Sequence, residues 1–220
     1  MIIAVIGGTG DQGFGLALRW AKAGEHVIIG SRQKTRAEEA AARLKEKLGN
    51  ANVEGYENPE AASKAEVVVL TVPFAAQIDI LKSIRSNMRK GQILVDVTVP
   101  LETAVGGSAT RLLGVWYGSA AQQAAALMPK DVDVVSAFQN LSAETLQDLS
   151  NQIDCDVIVC GNNENAKKIV MDLACKIPNV RPVDGGPLEN SRMVEQITAL
   201  LLALNIKHKV RCAGLRLTGV

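Results

Sequence analysis

The sequence predicts an α/β protein, a Rossmann-type doubly wound parallel sheet with a small C-terminal α/β domain. Residues 2–6 form an apolar run that ends at a glycine-rich turn, a helical stretch follows, and a second apolar run occupies 27–29. Two later runs, at 66–73 and 92–100, are apolar on both faces, as strands are when helices cover both sides of a parallel sheet. Strand, glycine turn, helix and strand are the first half of a dinucleotide-binding unit.

The glycine turn carries the strongest motif of the chain. Gly8, Gly10 and Gly13 have the G-x-G-x-x-G spacing between a predicted strand and a helix predicted over 14–23. Gly8 permits the tight turn, Gly10 lets backbone amides approach a pyrophosphate, and Gly13 lets the helix pack against the strand. The helix N-terminus then faces the anion. We therefore predict that this turn binds a dinucleotide.

The tip of the second strand indicates which dinucleotide is bound. Ser31 and Arg32 stand where a site that prefers NAD usually carries an Asp or Glu for the ribose 2′-hydroxyl. A hydroxyl and a guanidinium instead bind a 2′-phosphate through charge-assisted hydrogen bonds. Arg36 lies four residues beyond Arg32, so a helix starting near Gln33 turns a second cation toward the same phosphate, a role for which Lys34 competes. The sequence therefore predicts NADP as the cofactor.

The elements that follow continue the alternation of helix and strand. A helix rich in Ala, Glu, Lys and Arg is predicted over 35–48 and ends at a Gly-Asn pair. A short strand near Val53 and a brief helix come next. The strands at 66–73 and 92–100 both contain Thr-Val-Pro at their ends. This repetition places two loops at the carboxyl edge of the sheet, where ligands of such sheets bind.

A long loop over 101–118, a helix capped by Ser119 and a strand over 133–138 complete the predicted NADP-binding domain, residues 1–150. The predicted C-terminal domain, residues 151–220, contains strands at 156–160 and 180–183 and helices at 164–176 and 188–205.

Composition excludes several classes of function. The 220 residues carry 24 basic and 23 acidic side chains, a net charge of +1, so we expect no general affinity for nucleic acid or for an anionic membrane. No secretory leader is visible and no apolar stretch approaches the length that spans a bilayer, which predicts a cytoplasmic protein. Four cysteines show no metal-binding spacing and are expected to be reduced.

The tail over 207–217 contains four Lys or Arg and one His. Such a segment is either a frayed, solvated terminus or a charged wall for an anionic ligand, and the sequence leaves both interpretations open.

No catalytic constellation is visible. The chain has no Ser-His-Asp pattern, no paired carboxylates near the glycine turn and no metal-ligand cluster. Hydride transfer to or from a nicotinamide needs positioning and water exclusion more than a protein acid or base. We therefore predict no catalytic side chain and no metal, and an enzyme that passes hydride between two bound organic cofactors.

The whole chain resembles the archaeal NADPH-dependent reductases of coenzyme F420, a 5-deazaflavin. The resemblance lies in the glycine turn with its preceding strand and in the motifs at 30–32, 70–73, 160–161 and 184–192, the last reading Asp-Gly-Gly-Pro-Leu-Glu-Asn-Ser-Arg. It implies a cytoplasmic oxidoreductase, commonly a homo-oligomer, that moves hydride reversibly between the nicotinamide C4 of NADP and C5 of the deazaflavin.

The resemblance also implies positions for the cofactor-binding residues. The phosphate-binding turn falls on Thr9, Gly10, Asp11 and Gln12, and the 2′-phosphate site on Ser31, Arg32 and Arg36. Phe74 and Ile78, one helical turn apart, would face the same cofactor. Val105, in the loop after the second Thr-Val-Pro, would line the nicotinamide, and the deazaflavin would touch backbone near Ala213.

Two other functions remain open. The first is an NADP-dependent reductase of an imine or a 3-hydroxy acid, although such enzymes usually carry a long helical second domain and only about 70 residues remain here. The second is a non-catalytic redox sensor that binds NADP without turning it over.

Overall fold

A computed structural model describes residues 1–220 and contains one eight-stranded sheet. The strands occur in the order β3-β2-β1-β4-β5-β6-β7-β8. The first six run parallel, β7 is antiparallel to β6, and β8 is parallel to β7. This arrangement confirms the predicted doubly wound fold. The strands are β1 (Ile2–Ile6), β2 (His26–Ser31), β3 (Val53–Glu57), β4 (Val67–Leu70), β5 (Ile93–Asp96), β6 (Asp133–Ser136), β7 (Cys155–Gly161) and β8 (Val180–Asp184).

Eight α-helices cover the sheet. They are α1 (Asp11–Lys22), α2 (Lys34–Leu48), α3 (Asn58–Lys64), α4 (Phe74–Ile84), α5 (Ala120–Leu127), α6 (Ala143–Gln147), α7 (Glu164–Cys175) and α8 (Ser191–His208). Helix α1 begins at Asp11, three residues before the predicted start, because the glycine turn itself is only four residues long. The predicted loop over 101–118 contains a 3₁₀-helix, Glu102–Val105, and a bridge between Leu101 and Leu112.

The residues after 150 share one core with the nucleotide half of the chain. The larger hydrophobic cluster joins Ile3 and Val27 on one side to Val157, Val159 and Leu173 on the other. Strands β7 and β8 extend the same sheet rather than forming a second one. The division at residue 150 therefore stays a prediction about function, and packing is continuous across it.

Two buried side chains of α1 connect the nucleotide half of the chain to the segments around and after residue 150. The Arg19 guanidinium donates hydrogen bonds to the carbonyls of Leu146, Thr145, Asp148 and Asn151. The Trp20 indole donates to the Leu173 carbonyl at 3.0 Å. A buried cation needs this many acceptors because desolvation is otherwise costly. Helix α1 thereby fixes α6 and α7.

Helix α8 is joined to α5 through polar groups. The buried Glu195 carboxylate accepts hydrogen bonds from the amides of Ala120 and Ala121, at 2.9 and 3.1 Å, and so caps α5. The Ser191 hydroxyl lies 2.7 Å from that of Ser119, which caps α5 as predicted. Burial raises the pKa of the Glu195 carboxyl to about 8; the two amide donors oppose this shift, and the charge of Asp96 adds to it.

The basic tail is not frayed along its whole length. Asp156 on β7 is 0% exposed, and its carboxylate accepts hydrogen bonds from Arg181, from Arg216 and from the Leu217 amide. These donors, with Arg181 the strongest, hold the pKa of Asp156 well below its usual range. The Asp156 amide donates to the Leu215 carbonyl at 2.7 Å. The end of the chain is thus fastened across β7.

No helix combines the length and hydropathy that crossing a bilayer requires.

Replacing Arg216 with Ala is expected to destabilise the fold, because it removes one of the two cations that compensate a buried carboxylate. The expected change is a fall of several degrees in Tm by differential scanning fluorimetry at pH 7. Arg211→Ala is the matched control, since Arg211 is exposed and lies 3.8 Å from the exposed Glu144. Equal Tm values for the two variants would contradict the assigned role of the tail.

Glu195→Gln is expected to change how stability depends on pH. Because the folded pKa of Glu195 lies above that of a free carboxyl, its stabilising contribution is full below about pH 4 and is lost as pH rises through 8. Urea unfolding at pH 6 and pH 9 measures the free energy of unfolding of both proteins. From the lower to the higher pH, this free energy should fall by at least about 1 kcal/mol more for the wild type than for the variant. The exposed Glu189→Gln is the control, and parallel pH curves for wild type and Glu195→Gln would refute the assignment.

Candidate functional site

A crevice lies at the carboxyl ends of β1, β2 and β4 and encloses about 340 Å³. Such a crevice forms where neighbouring βα connections leave for opposite faces of the sheet. Its walls come from three segments: the glycine turn, the start of α2, and the residues after β4. The lining residues are Gly7, Thr9, Gly10, Ser31, Arg32, Gln33, Arg36, Asn58, Thr71, Val72, Pro73, Ala76 and Ile80.

The glycine turn is held by its own hydrogen bonds and places the uncapped first turn of α1 at this crevice. Gly7 has φ +79°, which favours glycine, and the Gly7 and Gly8 amides donate to the Gly30 carbonyl at 3.1 and 3.2 Å. Gly10 is the N-cap of α1, and no side chain accepts a hydrogen bond from the first turn. Amides free of a protein acceptor at a helix N-terminus form an anion site.

The third glycine has the predicted packing role. A Cβ atom on Gly13 would overlap the Thr71 hydroxyl and approach Gly8 to 2.9 Å. Thr71 in turn donates to the Ile6 carbonyl at 2.9 Å. Helix α1 can therefore lie against β1 and β4 only when residue 13 has no side chain.

The cationic end of the crevice contains the three residues predicted for a 2′-phosphate. Ser31 is buried at the end of β2, where its hydroxyl accepts a hydrogen bond from the Gln33 amide at 3.3 Å. Arg32 and Arg36 are exposed and line the crevice. Lys34 lies 3.9 Å from Glu38 and does not line it. The structure therefore brings together Ser31, Arg32 and Arg36 and leaves Lys34 aside.

Asp11 and Gln12 lie at the start of α1 but face the C-terminal half of the chain. The Gln12 amide donates to the Phe138 carbonyl at 3.2 Å, and the Asp11 carbonyl accepts from Gln147 at 3.0 Å. Neither residue lines the crevice, although their backbone amides belong to the uncapped first turn of α1.

Helix α4 carries the predicted pair Phe74 and Ile78 and a polar residue that the sequence analysis missed. Phe74 is half-buried and Ile78 is exposed, and neither lines the crevice. Gln77, between them, is fully buried. Its amide donates to the Asp96 carboxylate at 2.8 Å and lies 2.7 Å from the Thr98 hydroxyl. A polar residue on the helix face that otherwise carries Ile80 and Ile84 is the signal that could have revealed this contact.

Asp96 is the centre of a buried polar cluster at the end of β5. Its carboxylate accepts from the Gln77 amide and from the Thr98 amide and hydroxyl, the last two at 3.0 and 2.7 Å. Burial raises the pKa of Asp96 to about 6, against the effect of these donors. The side-chain amide of Gln139 donates a hydrogen bond to the Asp96 carbonyl, and the Thr198 hydroxyl donates one to the Gln139 carbonyl at 3.0 Å. The cluster connects α4, β5 and α8 beside the crevice.

Val105 and Ala213 lie apart from the crevice. Val105 is 71% exposed at the end of its 3₁₀-helix. Ala213 lines a separate cavity of about 210 Å³ with Asn140 and Cys155, and its amide donates to Asn205. The two predicted residues are therefore not joined to Arg32 by one continuous cavity. No three His, Cys, Asp or Glu side chains are placed to hold a metal ion.

Comparison of the sequence with known proteins places the chain in a family. Residues 2–100 match the family model described as NADP oxidoreductase coenzyme F420-dependent. The F420-dependent NADP reductase of Methanothermobacter thermautotrophicus is 49% identical, covering 100% of this chain and 96% of its own length. That of Methanocaldococcus jannaschii is also 49% identical, covering 100% and 99%.

A solved structure has the same fold. A putative F420-dependent NADP-reductase from Arthrobacter superimposes with a TM-score of 0.83 and 24% identity, covering 99% of this chain and 98% of its own. The similarity to these two F420-dependent NADP reductases extends through the segments that follow residue 100, including the one that contains Glu195 and the basic tail. With half of its residues shared from end to end, the chain belongs to the family of F420-dependent NADP reductases.

Proposed function

We propose that this chain transfers hydride between NADP(H) and coenzyme F420, with both redox groups supplied as bound ligands. The observation that carries the proposal is the crevice, in which the uncapped N-terminus of α1 and the cations Arg32 and Arg36 line one cavity. A dinucleotide with a 2′-phosphate needs both features, one for its pyrophosphate and one for its phosphomonoester. The family relationship supplies the second cofactor.

The residues present fit the adenosine half of NADP. Thr9 and Gly10 would orient the pyrophosphate with the amides of Asp11, Gln12 and Gly13, while Ser31, Arg32 and Arg36 would hold the 2′-phosphate. The glycines matter here because a Cβ on Gly8 would come within 2.8 Å of the Val5 carbonyl oxygen and push the turn outward. Bound in this way, the nucleotide supplies the hydride chemistry and the protein supplies its position.

The nicotinamide end would extend along the carboxyl edge toward β4 and β5. We assign Phe74, Ile78 and Val105 to this region, where their apolar surfaces would exclude water from the transferring hydride. The Asp96 cluster beneath them keeps α4 in place through Gln77. These side chains orient and shield, and none of them needs to exchange a proton.

The deazaflavin is proposed to bind near Ala213 and the basic tail. Lys207, Lys209 and Arg211 are exposed and can attract its phosphodiester and carboxylates. Arg216 is excluded from this role, because its guanidinium is held by Asp154 and Asp156. The electrostatic part of the proposed wall is therefore limited to residues before Cys212.

A homo-oligomer is part of the same proposal. Trp116 is 94% exposed, and Met193, Leu200 and Ile206 are exposed along α8. Large apolar side chains grouped on one helix favour contact with another protein surface.

Hydride exchange tests the activity directly. Purified protein mixed with NADPH and oxidised F420 should bleach the visible absorbance of the deazaflavin, and F420H₂ with NADP should restore it. Omitting either cofactor is the control. NADP binding without any exchange would instead support a non-catalytic sensor, and turnover of an imine or 3-hydroxy acid without F420 would support the other reductase class.

Arg32→Ala is expected to weaken NADP binding roughly 10- to 100-fold and to leave NAD binding nearly unchanged, because a charge-assisted contact to the 2′-phosphate is lost. Isothermal titration calorimetry with both nucleotides measures this difference. Lys34→Ala is the matched control, since Lys34 is a neighbouring cation outside the crevice, and should change neither affinity. A similar loss for NAD and NADP would refute the 2′-phosphate assignment.

A further inference from the structure

Asn58 is a buried amide at the floor of the crevice for which the fold itself gives no use. It is the first residue of α3, is 3% exposed, and lines the cavity that also contains Arg32. Its Oδ1 atom has no hydrogen-bond partner in the protein. A buried acceptor left unpaired is costly, so an orphaned amide in the wall of a binding site points to a partner supplied by the ligand.

The surroundings of Asn58 indicate which part of a ligand reaches it. A Cβ atom on Gly30 would lie 2.9 Å from Oδ1, so the amide lies beside the end of β2. The side of the crevice formed by Val72, Ala76 and Ile80 is apolar, whereas Arg32 and Arg36 form its cationic end. An apolar wall next to a phosphate-binding end suits the flat base of a nucleotide whose ribose phosphate pairs with the cations.

Building on the proposed NADP site, we propose that the Asn58 amide selects the base of the dinucleotide, with Oδ1 accepting a hydrogen bond from the 6-amino group of adenine. An Asn amide matches adenine well, because it can accept from N6 and donate to N7 at the same time. A 6-oxo purine offers acceptors at both positions, O6 and N7. The Asn amide can donate to only one of them, so its Oδ1 atom is left facing the lone pair of the other. Asn58 is then a specificity residue, separate from the groups that bind phosphate.

The test compares NADP with nicotinamide hypoxanthine dinucleotide phosphate, which differs only in carrying a 6-oxo purine. Equilibrium Kd values should show wild type preferring the adenine form by about 10-fold or more. In Asn58→Leu the preference should fall below about 3-fold, since no hydrogen bond distinguishes the bases. In Asn58→Asp both Kd values should rise through repulsion of the phosphates, while the preference for adenine persists because a carboxylate accepts from an amino group and cannot donate to an oxo group.

The ratio of the two Kd values separates base selection from a structural role. If the role of Asn58 is purely structural, Asn58→Leu should weaken the binding of both nucleotides equally. The ratio of their Kd values would then be the same as in wild type. That result, or a wild-type ratio near one, would overturn the inference. Failure of the proposed function itself would look different, because wild type would then either bind neither dinucleotide or bind NADP without exchanging hydride with F420, and the second result leaves the ratio of the two Kd values measurable. Arg32→Ala serves as the internal reference, weakening both 2′-phosphorylated forms while keeping the adenine preference.

Discussion

The close approach of α1 to the sheet at Gly13 is the constraint on which the rest of the structure depends. Because residue 13 has no Cβ, α1 lies against Thr71 and the glycine turn, and its uncapped N-terminus opens into the crevice between β1, β2 and β4. The same placement brings Arg19 and Trp20 to the carbonyls that hold the segments after β6. One glycine thereby serves both the binding site and the attachment of the C-terminal half.

The parts of this fold that could be predicted from sequence are those set by local patterns. Glycine spacing, strand hydropathy and the Ser31-Arg32 tip act over a few residues, and the structure places Ser31, Arg32 and Arg36 in one crevice. The bonds of Gln77 to Asp96 and of Glu195 to α5 join residues 19 to 75 positions apart, so no local pattern specifies them. The attachment of the tail by Asp156 is equally non-local.

Buried polar groups, rather than apolar packing alone, determine how α8 packs against α5 and the loop after β6. Glu195 caps α5, Ser191 contacts Ser119, and Thr198 donates to the Gln139 carbonyl. Such contacts are directional, so they fix one orientation of the helix where apolar side chains would tolerate several. The roles assigned to Phe74, Ile78, Val105 and Ala213 remain proposals, because these residues lie at the surfaces that a ligand or a second chain would cover.

The antiparallel joint between β6 and β7 consists of two residue pairs, Val135 with Gly161 and Ser136 with Cys160. Strands β7 and β8, in contrast, pair over five positions. The backbone therefore contributes little across this joint, and side chains such as Arg19 and Trp20 carry the connection. In native-state hydrogen exchange we therefore expect the amides of β7 and β8 to open together, at a lower free energy than those of β1, β2 and β4, because few backbone bonds join them to the rest of the sheet.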